Sequence, residues 1–259
     1  MKIELYQIDA FAKTIFEGNP AAVCPLKQWL DDATLQSIAK ENNLSETAFF
    51  IPSSEGFHIR WFTPSTEVNL CGHATLAAAF VIFNELGYKQ EQISFASRSG
   101  VLNVTRDQEL LIMDFPAQPA VPCELPEEIK QAIDVQPIAC LKSEDYIVVL
   151  NNENEVLNAN PRLEFLKNID LRGVILTARS ENFDFVSRFF APKYGIDEDP
   201  VTGSSYTQLI PYWATQMNKN KLHCKQVSQR GGEVFCELHN DRVSIAGYAV
   251  KYLQGHIEI

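Results

Sequence analysis

The chain has 259 residues, 46% hydrophobic and 21% charged, enough to bury one large core or two medium ones. Its formal net charge of −11, with no lysine or arginine cluster to offset it, argues against nucleic acid or any other phosphate-backbone partner. The longest largely apolar run, residues 74–83, is far too short to cross a bilayer, so no membrane partner is expected.

Taken in order, residues 2–11 read as a first strand with Ile3, Leu5 and Ile8 as its apolar positions. Gly18-Asn19-Pro20 makes a sharp turn ahead of the apolar AAVC. Asp31 or Asp32 is placed to cap a short helix carrying Leu35, Ile38 and Ala39 on one face. In LSETAFFIP, Glu46 stands directly against an apolar run. Residues 57–62 alternate as a strand, and a helix runs from about Ala74 to a C-cap at Gly87. Three β-like segments follow at 92–96, 101–105 and 110–115.

Pro116, Pro119 and Pro122 mark a shift in composition, which places the domain boundary between residues 1–115 and 116–246. Pro126 opens a helix through Ile133. Strands are expected at 146–150, 174–177 and 183–190, with a helix around 161–166. Residues 195–213, GIDEDPVTGSSYTQLIPYW, carry three acids (Asp197, Glu198, Asp199), a Pro–Gly turn, and then a helix start at Thr202, Gly203 and Ser204. Such a start presents unpaired N–H donors, which suit an anion. The tail, 227–259, is β-like and broken by glycines. Many short strands with one long helix in each half predict an α+β protein, a curled sheet around its helix.

The two halves share a grammar. Arg60-Trp-Phe62-Thr-Pro64 precedes EVNLCGHATLAAAF, and Arg188-Phe-Phe190-Ala-Pro192 precedes EDPVTGSSYTQLIPYW. Arg60 and Arg188, like Gly72 and Gly203, are separated by close to half the chain, which suggests an internal duplication.

Glu46 is the best candidate general base, because an apolar neighbourhood raises a carboxylate toward the range of a proton shuttle. The bland alternative is a solvated glutamate in a helix-to-strand turn. His73, at the start of a helix, could donate a hydrogen bond or carry a proton, or simply bond a carbonyl. Cys71 could be an activated thiol or a small buried hydrophobe. Being two residues from His73, it would not face that ring on a regular helix, so a Cys–His nucleophilic pair is not expected. Asp199 is the functional acid of its cluster, with Asp197 and Glu198 solvated. Arg230, in SQRGGEV, could bind a carboxylate or belong to a hairpin turn. The six cysteines show no C-x-x-C pair and no metal-ligand spacing. With no signal segment visible, they are expected to be reduced thiols of a cytoplasmic protein.

DAFAKTIFEGNPAAV, NLSETAFF, EVNLCGHATLA, GIDEDPVTGSSYTQLIPYW and SQRGG together resemble the PhzF-like (phenazine biosynthesis PhzC/PhzF) proteins, within the superfamily of diaminopimelate epimerase and proline racemase. The resemblance implies a diaminopimelate-epimerase-like fold of two similar domains, each a curled mixed sheet around a central helix, with the active site between them. It implies that the C-terminal strand, 247–259, completes the first domain and that the protein is a homodimer. The implied reaction is a cofactor-free proton shift on a small carboxylate-bearing substrate, giving an isomer. Glu46 would be the proton-transferring acid, with His73 and Gly72 beside the substrate and Asp199, Gly203 and Ser204 opposite. Asn19 and Arg230, in the first and last matching stretches, complete the implied binding set. The amino-acid racemases of this superfamily use two cysteines; Cys71 matches one, but DPVTGSS carries none. Two alternatives stay open: a racemase or epimerase using Cys71 with another partner, and a non-catalytic carboxylate binder. Tyr206 stands where many relatives have histidine, which leaves substrate preference open.

Overall fold

A computed structural model describes residues 1–259, which divide into two compact units. One joins residues 1–114 to 246–259, and the other is 115–245. The first unit contains β1 (Lys2–Ala10), β2 (Asn19–Pro25), α1 (Asp32–Asn42), β3 (Glu46–Ser53), β4 (Gly56–Phe62), β5 (Glu67–Val68), α2 (Gly72–Phe80), β6 (Gln92–Ser97), β7 (Gly100–Asp107) and β8 (Leu110–Pro116). The C-terminal strand, Ala249–Glu258, pairs antiparallel with β1 along its whole length, Lys2 opposite Glu258 and Ala10 opposite Ala249. Helix α2 is buried on every side from His73 to Ala79 and packs on β1, β2, β3 and the C-terminal strand. A helix that is apolar all round needs such an enclosure, and the alanines of ATLAAA keep it slim enough for the sheet to curl about it. Helix α1 lies elsewhere on the sheet, sending Leu35, Ile38 and Ala39 into a cluster with Ile3, Phe49 and Phe62.

The second unit runs β9 (Val121–Pro122), α3 (Glu127–Ala132), β10 (Ala139–Lys142), β11 (Tyr146–Val149), α4 (Glu153–Leu157), α5 (Leu163–Leu166), β12 (Val174–Arg179), β13 (Phe185–Ala191), β14 (Ile196–Asp199), α6 (Tyr206–Met217), β15 (Lys221–Gln226), β16 (Gly232–His239) and β17 (Arg242–Gly247). Helix α6 packs on β15 and β16. Helices α3, α4 and α5 contribute Ile129, Val156 and Leu166 to a core with Val148, Leu176, Val186 and Phe190.

The strands of the two units repeat one order of senses. Along β1-β2-β3-β4-β6-β7 the pairings run antiparallel, parallel, antiparallel, parallel, antiparallel. Along β10-β11-β12-β13-β15-β16 they run the same way. Parallel neighbours need a crossover connection. Accordingly α1 and α2 bridge the parallel pairs of the first unit, and α4, α5 and α6 those of the second.

The R-x-F-x-P match has a physical meaning in both units. Side chains two apart on a strand share a face, so each arginine lies over its own phenylalanine: Arg60 over Phe62 at 5.1 Å and Arg188 over Phe190 at 5.0 Å. Each also donates two hydrogen bonds to a glutamate on the short strand that follows. Arg60 binds Glu67 at 2.7 and 2.8 Å, and Arg188 binds Glu198 at 2.6 and 2.8 Å. Glu198 is therefore held and largely covered rather than solvated, because a fork-shaped guanidinium matches a carboxylate with both arms.

Several elements escape the sequence reading. Strand β14 (IDED) reads as an acidic loop, yet its backbone pairs with β13. Helix α4 sits in a run of asparagines and acids, where Asn152 caps a single turn. In β15, by contrast, Leu222, Cys224 and Gln226 alternate inward in a visible period of two. No helix is long and apolar enough to cross a membrane.

Tyr206 points into the core of the second unit. It is fully buried, 6.2 Å from the Phe185 ring, and its hydroxyl has no hydrogen-bond partner. Burial pushes its ionisation far above the ordinary tyrosine range. The Ser187 hydroxyl is its polar neighbour in this core, but it stands outside hydrogen-bonding geometry and is likewise unbonded. Tyr206 is thus a packing residue, and substrate preference is not read from it. Since an unpaired buried hydroxyl costs on the order of 1 kcal/mol, Tyr206→Phe is expected to raise unfolding stability by up to about that amount. A urea titration checks this, with an unchanged slope expected and a higher midpoint; a clear loss of stability would contradict it.

Candidate active site

In the first unit three chain segments meet. Gly18 sits at φ +66, and a Cβ there would fall 2.1 Å from the Ala10 carbonyl oxygen, so only glycine makes this turn. The turn delivers Asn19, fully buried, as the first residue of β2. Two residues on, Ala21 pairs with Glu46, the first residue of β3. Asn43, in the left-handed conformation, ends α1 and aims the chain into β3. The third segment is the start of α2. Cys71 precedes it in an extended conformation, and the Cys71 carbonyl accepts from both Thr75 N and Thr75 Oγ1, closing the first turn.

His73 is the hub. Its Nε2 lies 3.1 Å from Glu46 Oε2, the imidazole 7% and the carboxylate 12% exposed. The contact is electrostatic, since the pair stands off hydrogen-bonding angles. Its Nδ1 is 3.3 Å from Asn19 Nδ2 and 3.5 Å from Cys71 Sγ. The expectation that Cys71 and His73 do not meet is therefore wrong. Cys71 is outside the helix, and its extended backbone swings the thiol toward the ring two residues on. Burial opposes charge on His73, but Cys71 and Glu46 together outweigh it and hold the imidazole well above its ordinary value. Burial, reinforced by the negative charge of Glu46, pushes the Cys71 thiol up. A neutral thiol is a poor nucleophile, and Glu46 is the carboxylate that faces the imidazole.

Glu46, Cys71 and His73 offer ligand atoms within 4.8 Å of one another, close enough to be considered for a metal ion. However, His73 turns one nitrogen to Cys71 and the other to Glu46, whereas a single ion takes one nitrogen per imidazole and a deprotonated thiol. A chain of groups that exchange protons fits this arrangement better.

The second unit brings together Asp199, Gly203 and Ser204. Asp199 ends β14 and accepts the Thr202 hydroxyl through Oδ2. Gln226, fully buried, accepts from Thr202 N at 2.8 Å and donates to the Asp199 carbonyl at 2.7 Å, fixing the turn. Arg230 lies half-buried in the turn before β16, where Ser228 Oγ donates to the Pro200 carbonyl and accepts from Gly231 N. Ser204 Oγ accepts from Arg172 at 3.1 Å. Arg172 and Gln226 carry no sequence signal, being isolated polar residues in ordinary loop and strand contexts.

These two helix starts differ from those of α1 and α4, and share with α3 and α5 the lack of a side-chain cap. Asp31 caps α1 and Asn152 caps α4 by accepting backbone N–H groups. Neither Cys71 before α2 nor Thr202 before the turn into α6 makes a side-chain cap. Thr202 spends its hydroxyl on Asp199. Gly72 and Gly203 stand first in these two turns. Uncapped helix starts retain donors and partial positive charge for an anion.

Comparison with known proteins adds the family. The model for phenazine biosynthesis-like proteins, PhzC-PhzF, matches residues 8–255. An uncharacterized isomerase of Pseudomonas aeruginosa is 50% identical over 260 residues, covering 100% of both chains. A crystal structure of a phenazine biosynthesis protein of the PhzF family from Enterococcus faecalis superposes with a TM-score of 0.98 at 43% identity, covering 100% of both chains. A hydroxyproline epimerase from Agrobacterium vitis shares the fold alone, with a TM-score of 0.63 at 9% identity over 99% of this chain and 92% of that one. The architecture is that of the diaminopimelate-epimerase-like α+β proteins.

The His73–Glu46 contact makes a prediction about protonation. His73 in the folded protein titrates above the free imidazole value of about 6.5. Its stabilising contribution is therefore complete below about pH 6.5 and is lost as pH rises through the folded value. Histidine NMR should show the His73 resonance still protonated where free imidazole is neutral, and Glu46→Gln should move the transition to lower pH. A transition unmoved by Glu46→Gln would contradict this account.

Proposed function

Because the chain belongs to the phenazine biosynthesis-like protein family, we propose that it is a cofactor-independent isomerase that shifts a proton on a small carboxylate-bearing substrate. The observation that carries this reading is the buried Glu46–His73 contact at the uncapped start of α2. Glu46 takes a proton from carbon next to a carboxylate or carbonyl group and returns it elsewhere on the substrate. His73 fixes the carboxylate's orientation, and Asn19 holds the ring. The N–H groups from Gly72 onward receive the negative charge that develops on the substrate oxygen, where donors aimed in advance are most effective.

In the second unit, Asp199 is assigned to positioning a substrate, and Gly203, Ser204 and Arg230 to binding an anionic group. The repeated strand order and the paired arginine–glutamate contacts support an internal duplication that supplies one uncapped helix start from each half. We assign the protein as a cytoplasmic homodimer acting on small molecules. Light scattering should then report twice the 29.2 kDa chain mass, and a monomer at every concentration would refute it.

A second reading has one observation in its favour. Cys71 Sγ lies 3.5 Å from His73 Nδ1, as a thiol acid/base of a racemase would. The raised thiol value weighs against it. The two are separated by first finding carboxylates that raise the melting temperature, then following their C–H exchange in deuterated solvent. Glu46→Gln should slow exchange by about a hundredfold to ten-thousandfold, Asp199→Asn by less, and Cys71→Ser should leave most of it. An active Glu46→Gln beside a dead Cys71→Ser would reverse the assignment. Carboxylates that bind every variant without exchanging would leave a binding protein.

A further inference from the structure

The second unit holds a buried ionic cluster that nothing in the reaction above uses directly. Asp145, fully buried in the loop before β11, accepts from Arg172 Nε at 2.9 Å and Nη2 at 2.5 Å, and from Gln208 Nε2 at 2.6 Å. Gln208, on α6, accepts in return from Asp145 N at 3.0 Å. Both side chains are thus locked, and a network so satisfied is stiff. Arg172 lies over the Phe189 ring at 5.3 Å. Gly173 allows this closeness, because a Cβ there would meet the Phe189 ring and the Phe190 carbonyl oxygen at 2.7 Å. Two arms of the guanidinium are taken by Asp145; the third, Nη1, reaches Glu144 at 3.0 Å and Ser204 Oγ at 3.1 Å.

The chemistry of that last contact has one direction. Arginine has donors and no acceptor, so Ser204 Oγ must accept from it through a lone pair. The serine proton is thereby turned away from Arg172 and left to donate elsewhere. The positive charge is already met by Asp145 and Glu144, so orientation, more than charge, is what Arg172 supplies. Resting on the isomerase reading, we propose that Arg172 is a positioning residue that fixes Ser204 as a hydrogen-bond donor to an oxygen of the substrate's carboxylate. Asp145 and Gln208 hold Arg172 in place for this. Ser204 discriminates for an acceptor oxygen and against a donor group such as an amide nitrogen.

The decisive variant is Arg172→Lys. A lysine ammonium remains a cation for buried Asp145, so the unit keeps its fold, but one point charge cannot also span the distance to Ser204. Calorimetry with succinate and benzoate as probes compares the wild type with Arg172→Lys, Ser204→Ala and the double variant. Each single change should weaken binding roughly tenfold, the scale of one hydrogen bond to a charged group. The double variant should bind no worse than either single one, since both remove the same interaction. Unchanged binding in Arg172→Lys, or losses that multiply in the double variant, would overturn the proposal. Crystals of ligand-free Arg172→Lys test the role separately. A Ser204 hydroxyl that leaves its rotamer supports the positioning role even where neither probe binds the wild type and the isomerase reading fails. A hydroxyl that stays in place overturns the role whatever the probes do.

Discussion

The structure depends on an arginine that appears twice. Arg60 and Arg188 each stack on the phenylalanine two residues ahead and grip a glutamate with both arms. The consequence is geometric. The chain leaving β4 or β13 is pinned back onto its own strand before it enters a helix, so the helix start is held in a set position. A stacked guanidinium with a bidentate partner loses little further entropy when it orders the loop. Arg188 adds hydrogen bonds to the carbonyls of Val156 and Ala159, at 3.1 and 2.6 Å, and so also closes the end of α4. Asp32 does comparable work for Arg60 at 2.8 Å, reaching it from α1.

What the pinned helix starts present is shaped by where the local hydroxyls and thiol are spent. Thr202 bonds Asp199, Ser205 bonds the Thr202 carbonyl, and Cys71 turns to His73. None of them caps its helix, so the backbone donors there lack the side-chain acceptor that Asp31 and Asn152 supply at α1 and α4. Around His73 the low-dielectric surroundings sharpen each interaction. They raise the thiol, and Cys71 and Glu46 together hold the imidazole above its ordinary value.

Burial separates residues that look alike in sequence. Tyr206 and Ser204 both follow Gly203 within three positions, yet one enters the core beside Phe185 and the other meets Arg172. Glu198 and Asp199 are adjacent in one short strand. Alternation sends the first to Arg188 and leaves the second to order the turn with Thr202.

The α+β class, most strand positions, the Asp31 helix cap and the repeated R-x-F-x-P grammar are all legible in the linear chain. They rest on period, capping and turn chemistry, which are local and act within a few residues. Motif matches along the chain also point to Asn19, Glu46 and His73. That these three share one buried contact with Cys71 is settled by folding alone, because their meeting depends on β2 and β3 pairing in parallel beside α2. The same holds for Arg172, Asp145, Gln208 and Gln226. Their partners lie 24 to 63 residues away, and no periodicity or turn signal encodes a hydrogen bond between segments that only the folded sheet brings together.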